Sequence, residues 1–173
     1  MKNGKLLITL IGAFLMLGTN VIYGQASASA NATATATIVT PIAITKTVDM
    51  NFGNVAVGAN AGTVILTPAG GRTATGGVTL PATAGTVTAA SFSVTGEGTY
   101  TYAITLPSSA VTLTKATTLE TMTATAFTST PSATGTLTAG AQTLLVGATL
   151  NVGAAQVAGT YLSATFPVSV VYN

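Results

Sequence analysis

The sequence predicts an all-β chain folded as an antiparallel sandwich. Three observations carry this. Apolar residues recur at every second position in run after run. Gly and Pro fall between the runs. No stretch holds an apolar period of about 3.6 residues long enough for a helix. Thr, Ala, Val and Gly dominate the composition, and the stiff side chains of Thr and Val favour pleated backbone.

The first residues stand apart from this pattern. MKNGK carries Lys2 and Lys5, and LLITLIGAFLMLGTNVIYG follows, apolar but broken by Gly12, Gly18 and Asn20. Small residues come next at Gly24, Ala26 and Ala28. A basic start, an apolar middle and a small-residue exit are the layout of a secretory signal peptide. A membrane anchor is the competing reading, but the uninterrupted apolar part is short for a span of about 20 residues. Residues 1–26 are expected to be cleaved, leaving an exported chain with no stable membrane insertion. No Cys follows that would carry a lipid.

Cleavage also changes the charge. The formal +2 comes from Lys2 and Lys5; Lys46, Arg72 and Lys115 then balance Asp49, Glu97 and Glu120. A neutral surface does not attract nucleic acid or anionic lipid. Only 5% of the residues are charged, against a typical ~25%. A surface of Thr and Ser suits a protein packed against copies of itself or other surface proteins.

Residues 25–44, QASASANATATATIVTPIAI, alternate almost without a break, with Ala30, Ala32, Ala34, Ala36 and Ile38 on one side. Fully extended they would reach about 60 Å, far more than one ordinary strand. The part from Val39 to Thr45 is expected to be the first strand of the domain, which runs over 39–173. Residues 27–38 are then an extension: a donor strand for a neighbour, a flexible linker of small residues, or part of one long strand. VDMNFGNVAVG (48–58) and GTVILTP (62–68) are the next strands, AGGR is a turn, and TATGGVTL returns. TVTAASFSVTG (86–96) and TYTYAITLP (99–107), joined through Glu97 and Gly98, read as a β-hairpin. AVTLT, TMTATAFTS, QTLLVGATLNVG and YLSATFPVSVVYN complete nine or ten strands. ATTLETMTATAF offers a turn of helix around Leu119, but its Thr content opposes it. Close strand spacing favours an Ig-like sandwich. A β-solenoid would need a fixed repeat, and none is present. Phe52, Phe92, Phe127 and Phe166 are the expected core.

Chemistry finds little to work with. The chain has no His and no Cys. Hydrolysis by paired carboxylates needs two acids in one cleft, and Asp49, Glu97 and Glu120 fall in three separate strand or turn contexts. A Ser–Lys arrangement on Lys46 or Lys115 is the residual option. No Asp-rich loop offers calcium its oxygens, and no thiolate or imidazole offers a transition-metal site. No cofactor is expected. Asn31-Ala32-Thr33 matches a glycosylation acceptor, a triplet common by chance in a Thr-rich chain. Thr-x-Thr runs suit ice binding only on a regular repeat. Tyr100 and Tyr102 share a strand face, either as an exposed aromatic patch or with one-sided burial.

The C-terminus is the sharpest feature. Leu162, Ala164, Phe166, Val168, Val170 and Tyr172 alternate to within one residue of the end, and Gly159 precedes them at a turn. GTYLSATFPVSVVYN, with its penultimate Tyr, resembles the closing strand of chaperone–usher pilins and of spore coat protein U-type domains. NFGNVAVG resembles the Phe-Gly-x-Val segment early in those domains. ITKTVDMNFGNVAVG, ATGGVTL, SFSVTGEGTYTYAITLP, GTLTAGAQTLLVGATLNVG and the GTY…VSVVYN end together resemble the bacterial domain-of-unknown-function family 4402. The resemblance implies an Ig-like domain whose sheet can lack its last strand, filled by a neighbour's N-terminal extension. Two departures stand: the chain has no disulfide, and its donor segment alternates Ala until Ile38.

The expectation is a secreted, non-enzymatic structural protein, a pilin-like subunit of a cell-surface filament. Its contacts with other subunits or a periplasmic chaperone would use Ala30, Ala32, Ala34, Ala36, Ile38, Gly159, Phe166, Val168, Val170 and Tyr172. The alternative is a self-contained extracellular sandwich that binds a surface partner or glycan.

Overall fold

In the computed structural model of the chain, residue 24 and residues 26–173 are described. The signal-peptide reading lies almost wholly outside them. The chain divides between Thr37 and Ile38. Residues 26–37 are exposed and belong to no strand or helix. The rest forms eleven strands with no helix among the described residues.

In chain order these are β1 (Ala43–Val48), β2 (Ala56–Leu66), β3 (Arg72–Thr79), β4 (Ala90–Thr95), β5 (Thr101–Thr105), β6 (Val111–Lys115), β7 (Thr121–Thr130), β8 (Thr134–Thr136), β9 (Ala141–Val152), β10 (Tyr161–Ser163) and β11 (Ser169–Tyr172). They form an antiparallel sandwich of unequal sheets, eight strands against three. β9 is the hub. Its first half pairs with β4, which pairs with β1. On the same edge its second half pairs with β2, which pairs with β3. Its other edge pairs with β7, and β6 and β10 follow in order. The smaller sheet is β11–β5–β8.

Alternation decides the core. Leu144, Val146, Ala148, Leu150 and Val152 on β9 are all buried. They serve two clusters. Phe52, Val64, Leu66 and Leu150 belong to one, and Phe92, Val94, Tyr102, Leu137 and Leu144 to the other. Phe127 packs against both. Each large apolar side chain fully buried here stabilises the fold by about 1.5–3 kcal/mol. Tyr102 has no exposed surface. Its hydroxyl donates to Gln142 Oε1 at 2.6 Å, and burial pushes its pKa above the usual tyrosine value.

Four sequence expectations are corrected. The first strand is Ala43–Val48 rather than 39–45, because Thr40 is held by side chains and Pro41 has no N–H to give to a ladder. Residues 49–55 form no regular strand; Asn51 bridges to Thr88 while Phe52 inserts into the core, and β2 starts at Ala56. β4 and β5 are not a hairpin. β4 lies in the larger sheet and β5 in the smaller, so Phe92 and Val94 meet Tyr102 across the core. Side chains from the two facing sheets interdigitate there to form the core. Finally, the C-terminal run is two strands. β10 pairs with β6 in the larger sheet and β11 with β5 in the smaller. Pro167 falls in the crossing, where a missing N–H interrupts a ladder.

Candidate functional site

The two ends of the folded domain meet in a latch. Thr40 N–H donates to Glu97 Oε2 at 2.9 Å. Glu97 N–H donates to the Tyr172 hydroxyl at 2.6 Å, and that hydroxyl donates to the Thr40 carbonyl at 2.8 Å. Both main-chain groups of Thr40 are thus satisfied by side chains. The Thr40 N–H holds the Glu97 carboxyl below its ordinary pKa of 4.5. Gly96 makes the approach feasible, since a Cβ there would lie 2.2 Å from the Tyr172 hydroxyl. Tyr100 closes the side, edge-on to Tyr172 with centroids 5.5 Å apart. The geometry requires Tyr at position 172: one hydroxyl accepts once and donates once.

Beyond the latch the C-terminal segment crosses between the sheets. Val168 and Val170 are half-buried against the second core cluster. Phe166 packs on Phe127 with ring centroids 5.2 Å apart. Gly159 precedes β10 with φ +151°, and a Cβ there would meet the Lys115 side chain at 2.5 Å. Two openings flank the segment. One, of about 760 Å³, lies between residues 50–57 and residues 156–162. Its rim is internally tied: Gln156 Nε2 donates to the Tyr161 hydroxyl at 2.9 Å, which donates to the Val157 carbonyl at 2.6 Å. The other, of about 510 Å³, lies between residues 105–112 and 164–167.

The expected contact residues therefore separate into two groups. Phe166, Val168, Val170 and Tyr172 come together over one core cluster. Ala30, Ala32, Ala34 and Ala36 are exposed, and Ile38 is 97% exposed. Gly159 sits with the larger opening. Tyr100 and Tyr102 do not form one patch: Tyr102 is in the core and Tyr100 lies on the latch. Sequence reasoning missed Thr40 and Glu97 as partners of Tyr172, and the 106–110 connection as a wall. The latch spans 132 positions, and no local pattern announces it. For the wall the two prolines, Pro107 and Pro167, become a signal only once the fold sets them opposite each other.

Several charged groups among the described residues make local contacts. Lys46 pairs with Asp49 at 2.6 Å on the surface. Arg72 donates to the carbonyls of Phe52 and Asn54, fixing the loop over the first core cluster. The Thr118 hydroxyl holds the Glu120 carboxyl below its usual pKa. Among the described residues no three metal-ligating side chains converge. The outer face of the larger sheet carries a cross-strand row without charge, Thr75–Thr63–Asn151–Thr123–Thr112. In it Thr63 and Thr75 share a hydrogen bond of 2.7 Å.

Comparison with known proteins gives a family match. The family described as Domain of unknown function (DUF4402) matches residues 42–172. No curated protein and no solved structure matches the chain.

Proposed function

The chain belongs to the DUF4402 family, and from that premise we propose that it is a secreted, non-enzymatic structural subunit. It reaches the cell surface through the periplasm after loss of its leader and assembles there by strand addition, as pilins do. One observation carries the reading. The chain offers an exposed, alternating, unpaired segment at residues 26–38, while β10 and β11 each pair with only one neighbour. Unpaired strand edges on one copy and an unpaired strand on another are the two halves of β-augmentation. The partners are further copies or related surface subunits. A periplasmic chaperone would cover the open edges before assembly.

Light scattering tests this on residues 27–173 beside a chain starting at Val39. Assembly of the longer form alone, with the same Tm for both, supports the proposal. Stable monomers from both overturn it. That outcome favours a second reading, a self-contained domain that binds neutral glycan through the hydroxyl row of the larger sheet.

A further inference from the structure

Between β10–β11 and β5–β6 the ladder is closed at both ends and open in the middle. Ser169 faces Thr105 at one end, and Ser163 faces Leu113 at the other. The intervening residues 106–112 lie opposite 164–168. Among the described residues, the main chain of 106–110 and 164–168 makes no hydrogen bond to other main chain. Each wall carries a proline, Pro107 and Pro167, without an N–H. The slot between them, about 510 Å³, is lined by apolar Leu106, Val111 and Phe166 and by no charged side chain.

This arrangement selects its occupant. Free main-chain groups on both walls call for a segment with donors and acceptors on both edges, which is an extended peptide. Five residues of wall, at about 3.3 Å each, span roughly 17 Å. The uncharged lining offers a charged side chain no counter-charge, and its apolar part takes one larger group. The larger opening beside residues 50–57 is a poorer seat. Its rim main chain is already bonded at Asn51, Asn54 and Val157.

We propose that the slot receives residues 34–38 of a second copy. ATATI has the required length and no charge, and Ile38 is its one large apolar side chain, 97% exposed in the single chain. Ile38 enters against Leu106, Val111 and Phe166. Ala34 and Ala36 follow on the same side, and the inserted main chain bonds to groups of the two walls. This rests on the strand-addition reading above and moves the seat from the outer edges of β10 and β11 to the gap on their paired side.

Amide exchange measured alongside light scattering on residues 27–173 tests it. As concentration rises and the chain assembles, exchange at Ser108, Ser109, Ala110, Phe166 and Val168 should slow at least tenfold. Ile38→Asp, a change at an exposed position, should abolish both the assembly and the protection and leave Tm unchanged. Assembly without slowing at those amides, or wild-type assembly by Ile38→Asp, overturns the slot and leaves strand addition standing. A chain that stays monomeric at every concentration overturns both.

Discussion

Residues 26–38 and residues 162–172 both alternate with a period of two, yet they behave in opposite ways. The first segment joins no strand and stays exposed. The second crosses the sandwich, pairs in both sheets and packs Phe166, Val168, Val170 and Tyr172 on the core. The difference is side-chain area. Ordering one residue costs about 1–2 kcal/mol, while burying a single methyl returns under about 1 kcal/mol. An Ala-Thr pair cannot offset its own ordering within its own domain. Phe and Tyr bury about 150–250 Å² each and can. Period sets which side faces in; area decides whether the strand docks at all.

The sharpest way to break this contrast is to shrink the C-terminal segment. Tyr172→Ala should cost about 3 kcal/mol by loss of the packed ring and lower Tm by roughly 10 °C, read by thermal denaturation. Tyr172→Phe keeps the ring and isolates the hydroxyl. It should cost about 1–2 kcal/mol for two hydrogen bonds, read in urea titration as a lower midpoint with unchanged slope.

The latch should also respond to pH. Glu97 is held ionised below its ordinary pKa of 4.5. Its folded-state pKa is depressed, so its contribution is present above about pH 4.5. It is lost as pH falls through the folded value, where the unfolded chain binds the proton first. Unfolding curves between pH 6 and 3 should show Glu97→Gln less stable than the parent near neutrality, with the gap closing in acid. A gap that stays constant with pH would remove the carboxylate from the account. The effect is small because Glu97 is on the surface.

At the other end the contrast predicts almost nothing for stability. Ile38→Ala should change unfolding free energy by less than about 0.5 kcal/mol, the range of an exposed site. A larger loss in thermal denaturation would show that the N-terminal segment already contributes to its own domain.

These tests follow the line between what the sequence shows and what it hides. The strands around Phe92, Tyr102, Leu144 and Val170 are visible because their inward residues are large and alternate. Their partnership is not. SFSVT and TYAIT look like a hairpin because a short Gly-containing link joins them, yet facing each other across the core buries both faces at once. YLSATFPVSVVYN looks continuous because one proline in an alternating run is a weak mark. Only its counterpart, Pro107, placed opposite by the fold, shows that the ladder opens there. Tyr172 stands out in the sequence as the last residue of the alternating run, but Glu97 and Thr40 become its partners through tertiary structure alone.

The latch has a mechanical consequence. Tension applied through residues 26–38 enters the domain at Thr40, ahead of β1. A pull from that end would otherwise peel β1 from β4 one rung at a time, beginning with Ala43 opposite Thr95. The bonds from Thr40 to Glu97 and Tyr172 intercept the load first and divert it into the Gly96–Tyr100 crossing and the C-terminal strand. The domain is thus braced where a tug on its N-terminus would start to unzip it.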